Sequence, residues 1–489
     1  MKMIDFFGRT KLHIIYSIAI CFIYTGALII NGNYYIDDFG RSLDGYTAWT
    51  MNGRPVAEIL MLAISFGEPL ADISPLPQLL GVIFISLSIA IIGQKTLSDR
   101  PFLACLSLAP IITSPFILSN LSYKYDAATM GLSILLSTIP ACLSFKKQKT
   151  DIAISTILLI MVLCLYQPAI NAFIIISITV FVIECNVKER DLKSLIAKAL
   201  SCILSLILYN YIIAKHTIKN HYNTQGSQIL GANEIIDGIC KNISTFNIFM
   251  HDIMTAPMIA ISLTSLVISI TFIIIKIKHN NKVSRSTLSS IILIFSIPSI
   301  MLMIYGPLLL LKNPVYHPRV LIGFGFALSS LLLISATLLK SFKYSALLFF
   351  IPYIYMYGLC SAYVNVQEKQ KFLEEWVSMD ISGDLFYNKD NVDSLMVFGS
   401  PGFAPEAKIV FKKYPIIRRI MRILINGGDR WGEVQLRHYS VHLKYSDDNK
   451  RDYVEDKMCK EKQVSKRRFY TMTIIDRVAV IDFSNKCSR

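Results

Sequence analysis

"KLHIIYSIAICFIYTGALIINGNYYIDDFGRS", residues 11–42, holds the change of character that decides how this chain folds. From Leu12 to Ile30 it is apolar and carries no charge beyond the titratable His13. As a helix rising about 1.5 Å per residue, such a run nearly matches a hydrocarbon core about 30 Å thick. Two adjacent carboxylates, Asp37 and Asp38, follow just where the run leaves the lipid. That placement fits a solvated loop, a proton relay or a catalytic base, and the rest of the chain has to choose.

The 489 residues are 53% hydrophobic and only 17% charged, against about 25% charged in ordinary soluble domains. Long apolar runs account for the depletion and mark a polytopic α-helical membrane protein. The net charge of +15 does not imply nucleic acid. Much of it lies in short loops between apolar runs, where Lys and Arg set orientation. The ten cysteines show no metal-ligand spacing, and Cys21, Cys105, Cys142, Cys164 and Cys202 sit inside apolar runs as small hydrophobes. Cys459 and Cys487 fall in a long polar stretch, where a disulfide forms if that stretch is outside the cytoplasm. Lys2, Arg9 and Lys11 precede the first run without a small-residue cleavage site, the pattern of an uncleaved signal anchor.

The apolar runs are 12–30, 76–92, 102–118, 127–143, 152–166, 169–183, 195–214, 256–275, 288–311, 320–339 and 344–363. In lipid the backbone must satisfy its own hydrogen bonds, so these are helices. The basic connections are Lys146, Lys147 and Lys149; Lys188, Arg190 and Lys193; Lys276, Lys278, Lys282 and Arg285; and Lys340 with Lys343. With a cytoplasmic N-terminus and eleven crossings all four face the cytoplasm, as the positive-inside bias requires. The two runs flanking Pro168 are short, and nine spans plus a re-entrant pair there preserve the same sides. Residues 1–363 form the membrane domain, with exterior loops 31–75 and 215–255. Residues 364–489 form a small exterior α/β domain. In it "SLMVFGS" (394–400) and "RVAVIDFS" (477–484) read as strands, and "FKKYPIIRRIMRILI" (411–425) as a helix on the membrane surface or on the domain's own sheet.

No phosphate-binding loop, nucleophile elbow or zinc-protease motif is present. Chemistry must therefore come from polar residues near the membrane, where charge is costly. Asp37 and Asp38 lead; neighbours on a helix point about 100° apart, so the two do different jobs. Arg41 follows at helical ion-pair spacing, and an internally paired loop is the plain alternative. Lys124 and Asp126 stand in "NLSYKYDAATM" (120–130) at the outer mouth of the fourth run. Lys124 suits a phosphate and Asp126 its orientation, while interfacial anchoring explains the tyrosines beside them. His317 and Arg319 in "NPVYHPRVLIGFG" (313–325) offer a phosphate fork, or a snorkelling Arg. Arg54 and Glu58 in "NGRPVAEI", and Gln167 with Asn171 in "LYQPAIN", lie on the same face. Cations converging at that depth suit a lipid-linked phosphate better than a soluble substrate. No metal site is legible, so no divalent ion is expected to be needed.

The stretch "YYIDDFGRSLDGYTAWTMNGRPVAEILM" with "PLADISPLPQLLG", and later "NLSYKYDA", "LYQPAINAF", "HPRVLIGFG" and "FGSPGFAP", resembles the serotype-converting O-antigen glucosyltransferases, the phage-type Gtr enzymes. The resemblance implies a GT-C-like glycosyltransferase of the bacterial inner membrane, with its N-terminus cytoplasmic and its C-terminal domain periplasmic. It implies transfer of glucose from polyprenyl-phosphate-glucose to an O-antigen sugar of lipopolysaccharide. It also implies companion proteins, a donor synthase and a flippase, and no cofactor. An acidic residue of the first exterior loop is the base in such enzymes, which points to Asp37 or Asp38. Phosphate binding by Lys124, Arg319, His317 and Arg54, and support from Arg41, Glu58, Asp126 and Gln167, follow from position instead.

Two other readings compete. A lipid-linked sugar transporter or flippase needs polar groups through the spans and on both faces; here the runs are mostly clean. An O-antigen polymerase takes an oligosaccharide-lipid rather than a monosaccharide donor. A purely structural membrane protein is indifferent to Asp37 and Asp38.

Overall fold

A computed structural model describes the chain apart from residues 1–2, 145–146, 185–188, 220–225, 227, 280–286, 429, 485 and 489. Of the orienting basic residues, Lys2, Lys146, Lys188, Lys282 and Arg285 lie outside the described residues, as do the side chains of Arg9 and Arg190. The chain divides into two units, Met1–Gly32 with Tyr46–Ser361, and Asn33–Gly45 with Ala362–Arg489.

Each of the apolar runs holds helix. Among the described residues seven helices are long and apolar enough to cross a membrane, or up to eight if one bent pair is a single span. The shorter apolar helices Ala127–Cys142, Leu288–Leu302 and Gly323–Leu339 take up three more of the runs. The break in regularity falls elsewhere than expected. Around Pro168 stand two 18-residue helices, Gln148–Leu165 and Gln167–Glu184, each about 27 Å long at 1.5 Å per residue. The sharp bend, 66°, lies instead between Pro101–Thr113 and Pro115–Leu121. Pro115 excludes the helical conformation at Ser114 (φ −58°, ψ 135°), and the Ser114 hydroxyl accepts the Phe116 N–H of the new helix.

Helices Leu76–Thr96 and Ala127–Cys142 meet backbone to backbone. A Cβ on Gly81 would lie 2.5 Å from the Ala127 carbonyl oxygen, and one on Gly131 2.5 Å from that of Gly81. Small residues at the crossing allow this approach, which is how helices associate where lipid removes the hydrophobic drive. A dry cluster of Trp49, Ala57, Met61, Leu70, Tyr125 and Leu165 then seats the turn at residues 49–54.

The second unit is built on a five-stranded mixed sheet of order β2-β1-β5-β4-β3. The strands are β1 Ser394–Phe398, β2 Lys444–Tyr445, β3 Gln463–Lys466, β4 Thr471–Ile475 and β5 Val478–Asp482. Strand β1 runs parallel to both β2 and β5, while β4 pairs antiparallel with β3 and β5. The period-two pattern sends Leu395, Val397, Ala479 and Ile481 to one face, against Leu373, Val377, Ile381 and Leu385. That four-residue spacing is one stripe of the helix Ser345–Tyr387. Met396, Phe398, Val478 and Val480 face the other way, onto Val454 and Met458. Arg467 clasps Asp384 of the long helix, and Tyr470 donates to the same carboxylate at 2.7 Å. Cys459 and Cys487 form a disulfide. Residues 411–425 are not one helix: Ala407–Lys413 and Ile416–Ile420 are separate because Pro415 breaks the backbone hydrogen-bonding between them. Ile416, Ile417 and Ile420 are buried.

Candidate functional site

The sequence candidates fall into both units. Asp37, Asp38 and Arg41 belong to the second, and Arg54, Glu58, Lys124, Asp126, Gln167, His317 and Arg319 to the first.

In the first unit Asp126 is the hub. Its carboxylate, 3% exposed, accepts from the Trp49 indole at 2.7 Å and pairs with Arg54 at 3.2 Å, both through Oδ1. Trp49 is fully buried. Asp126 also precedes helix Ala127–Cys142, whose positive N-terminal end favours a carboxylate. Glu58 accepts the backbone N–H of Thr50 at 2.9 Å and so closes the short turn Thr50–Asn52. From the other side Gln167 donates to the Tyr209 hydroxyl at 3.0 Å and to the Asn52 carbonyl at 3.4 Å. Tyr209 in turn donates to the Gly53 carbonyl at 2.9 Å. Trp49 and Arg54 are thus held by their side chains, and Asn52 and Gly53 by their carbonyls.

Lys124 is buried and pairs with Asp72 at 3.4 Å. The Arg319 guanidinium lies over the Tyr123 ring, 5.2 Å from its centroid, and donates to the Tyr123 hydroxyl. Tyr166 donates to the Arg319 carbonyl at 2.6 Å, and Asn120 does so at 3.1 Å. His317 Nδ1 accepts the Arg319 N–H at 3.2 Å, which caps the turn Pro318–Val320 and leaves the proton of a neutral ring on Nε2. The Tyr166 hydroxyl thus sits against both the Asn120 side chain and the Arg319 carbonyl. Trp49, Tyr166, Tyr209 and Asp72 escaped the sequence reading, since only tertiary proximity gives them a role.

In the second unit the two adjacent carboxylates differ sharply. Asp38 is fully buried and accepts the Tyr35 backbone N–H at 3.0 Å. Asp37 is half-buried, and its carboxylate accepts no hydrogen bond from the described residues. Both open the helix Asp37–Asp44, which buries Asp38, Gly40 and Arg41. Ile36, just before it, has φ +48° and ψ −101°. A β-branched residue there is strained by roughly 1–3 kcal/mol and persists only where its surroundings over-determine it. Those surroundings come from the tail: Tyr35 donates to the Ile420 carbonyl at 2.6 Å, and Arg437 forks onto Asp44 at 2.9 and 2.5 Å. The fork holds the Asp44 carboxyl below its ordinary range. Among the described residues no group of three His, Cys, Asp or Glu could hold a metal ion.

Several apolar helices of spanning length and a small mixed α/β unit are the features of a mostly helical protein compatible with a membrane. Comparison with known proteins specifies it further. The family model for Glucosyl transferase GtrII matches residues 26–330, and the chain belongs to that family. A protein of Salmonella phage P22, described as an uncharacterized 55.3 kDa protein in the gtrB 5' region, is 31% identical over 454 residues. That alignment covers 88% of this chain and 91% of the phage protein. No solved structure matches the chain. The protein is thus a glucosyltransferase of the Gtr type, and all ten candidate residues fall within the family match.

Proposed function

We propose that the protein transfers glucose from polyprenyl-phosphate-glucose to a sugar of the lipopolysaccharide O-antigen, on the periplasmic side of the inner membrane and with inversion. The observation that carries the reading is the contrast between Asp37 and Asp38. A general base needs free lone pairs and room for a hydroxyl. Among the described residues the half-buried Asp37 carboxylate accepts no hydrogen bond, whereas Asp38 is committed to the backbone. Asp37 takes the proton of the acceptor hydroxyl as its oxygen attacks the anomeric carbon. The bond from that carbon to the phosphate oxygen breaks, and polyprenyl phosphate leaves with the electron pair. Arg319, Lys124 and Arg54 are the cations assigned to stabilise the departing charge. His317 and Gln167 act through Arg319 and Tyr209, and Arg41 and Glu58 support the two turns. A β-linked donor attacked from the opposite face yields an α-glucoside, and phosphate leaves without a general acid.

The Cys459–Cys487 disulfide supports an oxidising compartment for the tail. A relative described by its position beside gtrB fits a transferase that works with companion proteins. The test is expression in a host that supplies donor synthase and flippase but lacks its own transferase, with the released polymer read by NMR. Wild type should add glucose, and Asp37→Asn at equal membrane abundance should lose about 10²–10⁴-fold. Undiminished glucose with Asp37→Asn would sink the assignment; an oligosaccharide-lipid as the required donor would favour a polymerase.

A further inference from the structure

We propose that Arg437 and His438 of the C-terminal unit are positioning residues for the helix that carries Asp37, so that the tail sets turnover by holding the base. The inference rests on the reading of Asp37 as base. An eight-residue helix does not hold its shape in water by itself, since nucleation is unfavourable and isolated helices shorter than about 12–15 residues are marginal. The support on this one comes from residues hundreds of positions away in the sequence. The Phe39 ring stands edge-on to His438 at 5.6 Å and 87°, and His438 Nε2 lies 3.1 Å from the Phe39 carbonyl. Five residues on, Arg437 grips Asp44 with two nitrogens, a planar fork that fixes direction as well as distance. At the helix entry Tyr35 is tied to the Ile420 carbonyl, and Ile36 is kept at its strained φ of +48°. Entry, middle and end are therefore each pinned by the tail, while among the described residues none donates a hydrogen bond to the Asp37 carboxylate. Releasing any pin lets the strained turn relax and the carboxylate swing. A displacement of about 1 Å from productive geometry can cost about 100-fold in rate.

The test uses the full chain in membranes. Arg437→Ala and His438→Ala should each lower kcat about tenfold while KM for the lipid donor stays within about twofold, the pattern of a misplaced base rather than lost binding. Hydrogen exchange of residues 37–44 should quicken in parallel. Exchanging the charges, with Asp44→Arg and Arg437→Asp together, should recover most of kcat, while each change alone should not. Recovery by the swap separates positioning from simple misfolding. Wild-type kcat in both alanine variants, or a swap no better than its single changes, would overturn the proposal. Faster exchange at 37–44 in the alanine variants, with Asp37→Asn still fully active, would show the docking to be real and the base assignment to be wrong.

Discussion

Removing the Asp126 carboxylate tests whether it is a clamp or a chemical group. In Asp126→Ala the Trp49 indole N–H loses its acceptor inside a dry cluster, a loss of about 1–3 kcal/mol. Arg54, 14% exposed at its side chain, loses its counter-charge, and breaking a buried pair costs about 3–5 kcal/mol. Both donors converge on one oxygen, so the two losses overlap and do not add. Partial exposure of Arg54 also lets water take up some of the charge. The expected destabilisation is about 3–5 kcal/mol for Ala. It is about 1–2 kcal/mol for Asn, which keeps an oxygen for Trp49 and gives up only the charge. At roughly 2 °C per kcal/mol, detergent-solubilised Asp126→Ala should melt about 6–10 °C below wild type and Asp126→Asn about 2–4 °C below, at one scan rate. Glucose transfer assayed well below both transitions should persist in Asp126→Asn. An unchanged melting temperature together with abolished transfer would refute the argument, because the carboxylate would then be acting on substrate.

Gly53→Ala should destabilise the same turn by about 1–3 kcal/mol, since its φ is +75° and a Cβ would sit 2.6 Å from the Tyr209 hydroxyl; a melting curve equal to wild type would refute the tie from Tyr209. Cys459→Ser opens a link between residues 28 apart and should weaken the tail by about 3–4 kcal/mol, read as faster proteolysis of 390–489 with or without reductant. Acid should loosen the helix Asp37–Asp44. The Arg437 fork lowers the Asp44 carboxyl below the ordinary carboxylate value of 3.8, so its stabilisation is complete above that value and vanishes as pH falls through the depressed one. Exchange at 37–44, corrected for the intrinsic rate, should stay flat from neutrality to about pH 5 and rise below about pH 4, and Asp44→Asn should lack the rise.

The helices were legible because lipid leaves an apolar run no other way to satisfy its backbone, whatever its neighbours do. Strands β1 and β5 were legible as short apolar runs bounded by turn residues. Two interruptions that the apolar pattern did not show trace to proline. Ser114-Pro115 and Tyr414-Pro415 each carry the local signal of a helix boundary, yet an uninterrupted apolar or basic-apolar pattern on both sides masked it. The site was legible as a set of charges and opaque as a set of bonds. Arg54 and Asp126 could each be named from cost in the membrane, but their pairing through Oδ1, and the shared grip of Trp49, depend on a turn whose shape is set by Gln167 and Tyr209. Least legible was the membership of residues 33–45, for no spacing rule links Tyr35 to Ile420 across 385 positions.

That membership has a local cause at each end. Gly32 and Gly45, the last residue before the segment and its own last residue, both sit at positive φ, 59° and 61°. Gly32 follows directly on the helix Met3–Asn31, where a left-handed residue is the usual way to stop a helix and turn the chain. Gly45 does the same for the helix Asp37–Asp44, its N–H returning to the Arg41 carbonyl at 2.8 Å. An L side chain at either position would pay roughly 1–2 kcal/mol in the left-handed region. The chain is thus turned out of the first unit after one apolar helix and turned back thirteen residues later. Between those turns it has lent a strand of sequence too short to fold alone to a domain whose sheet begins only at Ser394. The Asp37 carboxylate is thereby carried by the unit that holds the sheet, although the chain reaches it directly from the helix Met3–Asn31.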